Sequence, residues 1–143
     1  MRSVGYLPQL FTVFVVSAAA AAQTPWNFPL DRQFVATSIN GRTIDRKAPT
    51  LTVSRDPKSH VLSAVGFAGC NQWSGAVSLG QARFGVGDLG TRKMFCADQM
   101  SAESDFLSAM KAVKRWHMRG TTLVLEGETA SLEWAPVNSS APR

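Results

Sequence analysis

The chain has 143 residues, with 15 Lys and Arg against 10 Asp and Glu and a formal charge of +5 at pH 7. That length suggests one domain, and without a long Lys/Arg run or arginine-rich arm the mild positive charge favours solubility rather than nucleic-acid binding. Two histidines, with no partner at i+3 or i+4, and two cysteines fall short of a zinc ligand pattern, so no metal and no cofactor is expected.

The first 22 residues read as a secretory signal peptide. Arg2 supplies a basic start, Leu10 to Val16 an apolar core and Ala18 to Ala22 a small-residue ending, with cleavage expected before Gln23. The apolar run is short for a membrane span, which needs about 20 residues, so no transmembrane segment is expected after cleavage. Removing 22 residues from 143 leaves 121, carrying 14 basic and 10 acidic side chains. Residues 23–32 form a mature N-terminal lead in which Trp26 and Phe28 can tuck against the domain.

From Gln33 the chain reads as β. Phe34 to Ile39 is a strand closed by Asn40-Gly41, a pair suited to positive φ. Thr50 to Ser54 alternates, Asp56-Pro57-Lys58 turns, and His60 to Phe67 continues as the partner strand. Trp73 to Leu79 and Ala82 to Val86 follow, with bends expected at Gly85, Gly87 and Gly90. The period changes over Ser101–Val113, where Phe106, Leu107, Met110 and Val113 share one side of a helix. Ser101 is a good N-cap type, and Glu103 and Asp105 complement the positive end of the helix dipole. Lys111, Lys114, Arg115 and Arg119 gather near the other end, where they complement the dipole or meet an anionic partner. Arg115 to Met118, Thr121 to Glu126 and Ala130 to Trp134 complete the strands, and residues 137–143 read as a disordered tail. The fold class is α+β, a curved antiparallel sheet of about seven strands, open or cracked-barrel-like, with one covering helix.

The chemistry turns on Cys70 and Cys96. A reactive thiol would need His60 or His117 as its base, and nothing around Cys70 places it at a helix N-terminus that would lower its pKa. In an exported protein two cysteines most simply pair. The pair would close a loop that stabilises by about 3–4 kcal/mol in the chain-entropy account. Two free thiols are the alternative. Gly85 to Gly90 resembles a dinucleotide-binding glycine pattern but lacks the helix after it, and no Walker loop or Gly-x-Ser-x-Gly elbow occurs.

The order of Gly69-Cys70-Asn71, Gly75, Thr91, Met94, Cys96, Glu103-x-x-Phe-Leu107 and Leu123-x-Leu125 resembles the META/HslJ family of exported or envelope-associated bacterial domains. It spans residues 33–136. The resemblance implies a cracked β-barrel with one helix, a periplasmic or secreted location, and links to heat-shock response, stress tolerance and secretion. It implies no enzymatic activity. Phe34 departs from the Trp that many members carry in the first strand. The function expected is a monomeric, non-catalytic binding module for an envelope protein, peptide or lipid. Phe67, Trp73, Phe84, Phe106, Met110 and Trp116 are its candidate apolar groove, and a structural accessory docking on an envelope assembly is the alternative.

Overall fold

Alternating apolar and polar side chains draw nine strands into a single antiparallel sheet. The computed structural model describes Gly5, residues 27–92 and residues 94–138. The expected signal peptide (Gly5 apart), Trp26 and residues 139–143 of the expected tail lie outside them. The strands are β1 (Gln33–Ile39), β2 (Arg42–Thr43), β3 (Thr50–Arg55), β4 (Leu62–Phe67), β5 (Gln72–Leu79) and β6 (Phe84–Thr91). Helix α1 (Met100–Ala112) then precedes β7 (Arg115–Arg119), β8 (Thr122–Glu126) and β9 (Ser131–Pro136).

The sheet order is β6-β5-β4-β3-β1-β9-β8-β7, with the short β2 paired to β1. Two meanders, β3 to β6 and β7 to β9, therefore meet on the first strand. The register shifts between Ala36 and Ser38 and again between Ser74 and Ala76. Such irregularities bend a ladder and raise its twist, and here the sheet curls into a half-barrel. Its two outer strands meet at a seam. Arg83 stands opposite Arg115, the Phe84 N–H donates to the Lys114 carbonyl at 3.0 Å, and the Trp116 N–H donates to the Ala82 carbonyl at 3.0 Å.

Helix α1 lies in the connection between those outer strands and turns Phe106, Ala109 and Met110 inward. Phe106 meets Trp73 of β5 edge-on at 5.7 Å and Trp134 of β9 at 6.0 Å. One ring thus ties together strands from both meanders, and all three rings are buried. Edge-on pairs of this kind add to the area they bury. Phe28, from the expected lead, stacks on Phe84 at 5.7 Å and meets Trp116 edge-on at 5.0 Å. It seals the seam from the inside, so the described part of the lead contributes Phe28 to the core.

Several elements differ from the sequence expectation. The described residues form nine strands where about seven were expected, one of them the two-residue strand after the Asn40-Gly41 turn, and β6 runs on through its glycines to Thr91. Strand β4 starts at Leu62, not His60, since the Asp56 carboxylate accepts from the Lys58 N–H, the Ser59 N–H and the Ser59 hydroxyl and prolongs the turn. The helix starts at Met100, and its cap is Gln99, which makes no side-chain capping bond. Ser101 lies inside the first turn, and Val113 caps the C-terminal end. Tertiary anchoring, described below, replaces the local cap.

The Ser59 backbone, then the Ser59 hydroxyl and the Lys58 backbone, hold the Asp56 carboxyl below its ordinary 3.8. A lowered carboxyl contributes its stability in full above 3.8 and loses it as pH falls through the folded value. A carbon-detected NMR titration is expected to place Asp56 below 3.8, and Asp56→Asn is expected to remove that part of the acid dependence. Close packing gives a second test. A Cβ at Gly66 would overlap the Thr50 carbonyl oxygen, the acceptor that takes the Trp73 indole N–H at 3.1 Å. Gly66→Ala is expected to cost about 1–3 kcal/mol in urea unfolding, whereas Gly87→Ala, in open space, is expected to cost less.

Candidate functional site

The residues that dominated the sequence argument converge on one corner. The β4–β5 turn carries Gly69, Cys70 and Asn71, and the segment between β6 and α1 carries Met94 and Cys96. Gly69 takes φ +109°, a conformation open to glycine at little steric cost. It swings the chain so that Cys70 reaches Cys96, with which it forms a disulfide across a Cα separation of 6.0 Å. The link spans 26 positions in sequence and ties the sheet to the approach of the helix.

Asn71 lies beside this bridge and is buried together with Glu103 of α1. The Asn71 backbone N–H donates to Glu103 Oε2 at 2.7 Å. Its side-chain amide donates to Oε1 at 2.9 Å and to Oε2 at 3.1 Å. The same amide group also donates to the Met94 carbonyl at 3.2 Å, while its oxygen accepts the Met94 N–H at 2.9 Å. A single asparagine therefore uses main chain and side chain to hold three separated segments. The Glu103 carboxylate sits in the first helical turn, where the helix dipole stabilises negative charge. This arrangement also accounts for the start of α1 without a side-chain cap.

The remaining signature positions support the corner. Thr91 pairs with Trp73 across β5 and β6. Gly75 accepts the close approach of β6, because a Cβ there would lie 2.5 Å from Val86 Cγ1 and 2.9 Å from the Gly87 oxygen. Sequence reasoning placed Glu103 at the helix start for its dipole and missed its burial against Asn71. The Glu103-x-x-Phe106 spacing was the available signal, because it puts the carboxylate and the core phenylalanine on one face of the helix.

The six side chains expected to line an apolar groove do not form one. Trp73, Phe84, Phe106, Met110 and Trp116 are buried in the hydrophobic core, and Phe67 is half-buried. They fill the space between helix and sheet; among the described residues Phe84 borders an open outer depression at the seam and Trp73 one at the corner. Their indoles confirm a packing role, since the Trp73 and Trp116 N–H groups donate to the Thr50 and Gly80 carbonyls.

Apolar surface is found elsewhere. Phe95 is 83 % exposed, Met94 60 % and Met100 39 %. All three lie within a few residues of Cys96; Asn71 holds the Met94 backbone on one side of the disulfide and Met100 opens α1 on the other. Singly exposed apolar residues are ordinary, but three together on a braced segment are the kind of patch that marks an interaction site. His60 sits in an exposed turn with φ +59°, and His117 on β7 lies 3.8 Å from Glu126. Neither faces a free thiol, because both cysteines are bonded to each other. Among the described residues no cluster of three or more His, Cys, Asp or Glu could hold a metal. No helix there is long and apolar enough to cross a membrane.

A curled antiparallel half-barrel, one helix in the connection between its outer strands and a disulfide-pinned Gly-Cys-Asn corner define a recognisable class of α+β domain. The META domain family model matches residues 27–137, and the chain belongs to that family. A solution NMR structure of a protein from Burkholderia xenovorans is similar in fold, with a TM-score of 0.60, 22 % identity and 96 % of each chain covered. A second NMR structure shares the fold at a TM-score of 0.53 and 19 % identity, over 73 % of this chain and 87 % of the other. No curated protein matches the chain.

The corner makes its own prediction. Asn71→Ala strands the Met94 amide groups and removes the side-chain donor from a buried carboxylate, leaving it the position-71 backbone N–H, and hydrogen bonds to charged groups contribute about 1.5–3 kcal/mol each. A loss of about 3 kcal/mol is expected in urea unfolding. Paired Asn71→Ala and Glu103→Ala changes are expected to be strongly non-additive, because either one already breaks the shared network.

Proposed function

We propose that this META domain is an exported, non-catalytic docking module that holds an envelope protein through the apolar surface at Met94, Phe95 and Met100. The observation that carries the reading is the combination of high exposure with a fixed backbone. Phe95 is 83 % exposed, yet the segment on which it sits is tied down by a disulfide and by both amide groups of Met94. Bracing lowers the ordering cost of association, and an aromatic anchor flanked by methionines suits a partner surface.

Export is supported by the disulfide, which persists in oxidising compartments, and by the signal-like first 22 residues. The non-catalytic reading is supported by the mutual bonding of the two thiols that the sequence offered as nucleophiles. The burial of the candidate groove residues takes support away from a lipid or peptide held between helix and sheet, and shifts it to docking on the outside. A part in stress tolerance or secretion would follow from the identity of that partner.

Two measurements test the reading. The intact mass of protein from a periplasmic extract is expected to match a chain starting at Gln23 with both cysteines oxidised, and a mass that includes Met1 contradicts export. For docking, a photo-crosslinking residue at position 95 is expected to trap a discrete envelope protein in living cells. Met94→Ser in the same background is expected to abolish that adduct with a stability change within about 0.5 kcal/mol, as for other surface substitutions. An adduct unaffected by Met94→Ser, or none at all, overturns the docking surface.

A further inference from the structure

We infer that the outer face of the barrel seam, at Arg83, Lys114 and Arg115, is a binding site for a phosphate-class oxyanion. The reason lies in how the barrel closes. Arg83 and Arg115 are direct antiparallel partners across the seam, so their side chains emerge side by side on one face. Like charges in that position oppose strand pairing. The seam nevertheless forms there, held by backbone bonds from Phe84 to Lys114 and from Trp116 to Ala82.

A depression of about 590 Å³ opens at this point, with Phe84 and Val113 as its apolar part and Arg83, Lys114, Arg115, Ser78 and Gly85 around them, and with no carboxylate on its rim. Gly85 leaves its floor clear, because a Cβ there would meet only the Ser78 Cβ, at 4.0 Å. Neither Arg83 nor Lys114 has a carboxylate within 4.0 Å among the described residues, and Arg115 has Glu126 at 3.8 Å, which also lies 3.8 Å from His117. Of the three cations only Arg115 has a carboxylate beside it, and that one is shared with His117, so the group carries an excess of positive charge that a phosphate dianion would neutralise. Guanidinium groups suit the ligand further, because their planar N–H forks bind phosphate oxygens two at a time. Ser78 also borders the depression and brings a hydroxyl that can donate to an oxyanion. An oxyanion seated here cancels the repulsion between the two arginines and tightens the β6–β7 closure. The site occupies the end of β6 away from the Met94–Met100 surface and does not rest on the docking role.

Inorganic phosphate is the probe for a soluble source, and phosphatidylglycerol vesicles against phosphatidylcholine vesicles are the probe for a lipid source. Phosphate at about fivefold its dissociation constant is expected to raise Tm by roughly 4 °C over sodium chloride of equal ionic strength. The Arg83 and Arg115 Nε–H NMR signals are expected to shift with the same titration curve. Arg83→Gln and Arg115→Gln are each expected to abolish the phosphate response while holding or raising Tm in chloride, since either removes one of two opposed charges. A purely structural arginine would lower Tm in chloride and leave the response intact. Arg42→Gln, remote from the seam, is expected to respond as the native protein does. A response to free phosphate supports a soluble ligand, and selective vesicle binding lost in Arg83→Gln supports a phospholipid headgroup. A Tm shift no larger than that of chloride, together with no selective vesicle binding, overturns the proposal.

Discussion

The fold depends on a buried carboxylate that is never left alone. Glu103 enters the interior from the first turn of α1, and a charge there is costly unless polar partners replace water. Asn71 supplies them from its backbone and side-chain amides, at 2.7 to 3.1 Å. Because Asn71 also brackets Met94, the position of the helix, the register of the β4–β5 turn and the course of the following segment become one interdependent arrangement. The Cys70–Cys96 bond holds the same segments covalently. It limits the unfolded chain, whereas the Asn71–Glu103 pair selects the folded one, and the two act on different sides of the equilibrium.

That lock explains the distribution of apolar surface. With the helix fixed, Phe106 is driven between Trp73 and Trp134 and the interior closes on itself. Aromatic side chains that could have lined a trough become packing instead. Among the apolar residues left exposed, which include Val61, Val65 and Val137, Met94 and Phe95 lie on the segment that approaches the helix and Met100 opens the helix. A rigid frame with an exposed tip is better suited to recognising a surface than to enclosing a small molecule.

Much of this was legible in the residues. Period-two alternation located most of the strands, Asn40-Gly41 marked a hairpin, and the spacing of Phe106, Met110 and Val113 located the helix. The order of Gly69, Cys70, Asn71, Met94 and Cys96 carried the family resemblance. The boundaries were less legible. Ser101 had the chemistry of a cap, yet α1 begins at Met100 behind Gln99, because a distant asparagine engages the first turn. His60 fits a strand by composition, yet Asp56 folds it into a turn with φ +59°. The seam was not legible at all, since Arg83 and Arg115 are 32 positions apart and their opposition follows only from closure of the sheet.

By itself the sequence determined the types of element, the α+β class, the family and the pairing partners available to sulfur. These follow from local periodicity and from residue chemistry, which act over a few positions along the chain. Only the tertiary structure decided that the candidate groove is core, that Glu103 is buried against Asn71, that Phe95 is left outside and that two arginines face each other across the seam. Each is a contact between segments remote in sequence. Such contacts are set by how the curled sheet and the helix share a finite interior volume, and no local pattern encodes that volume.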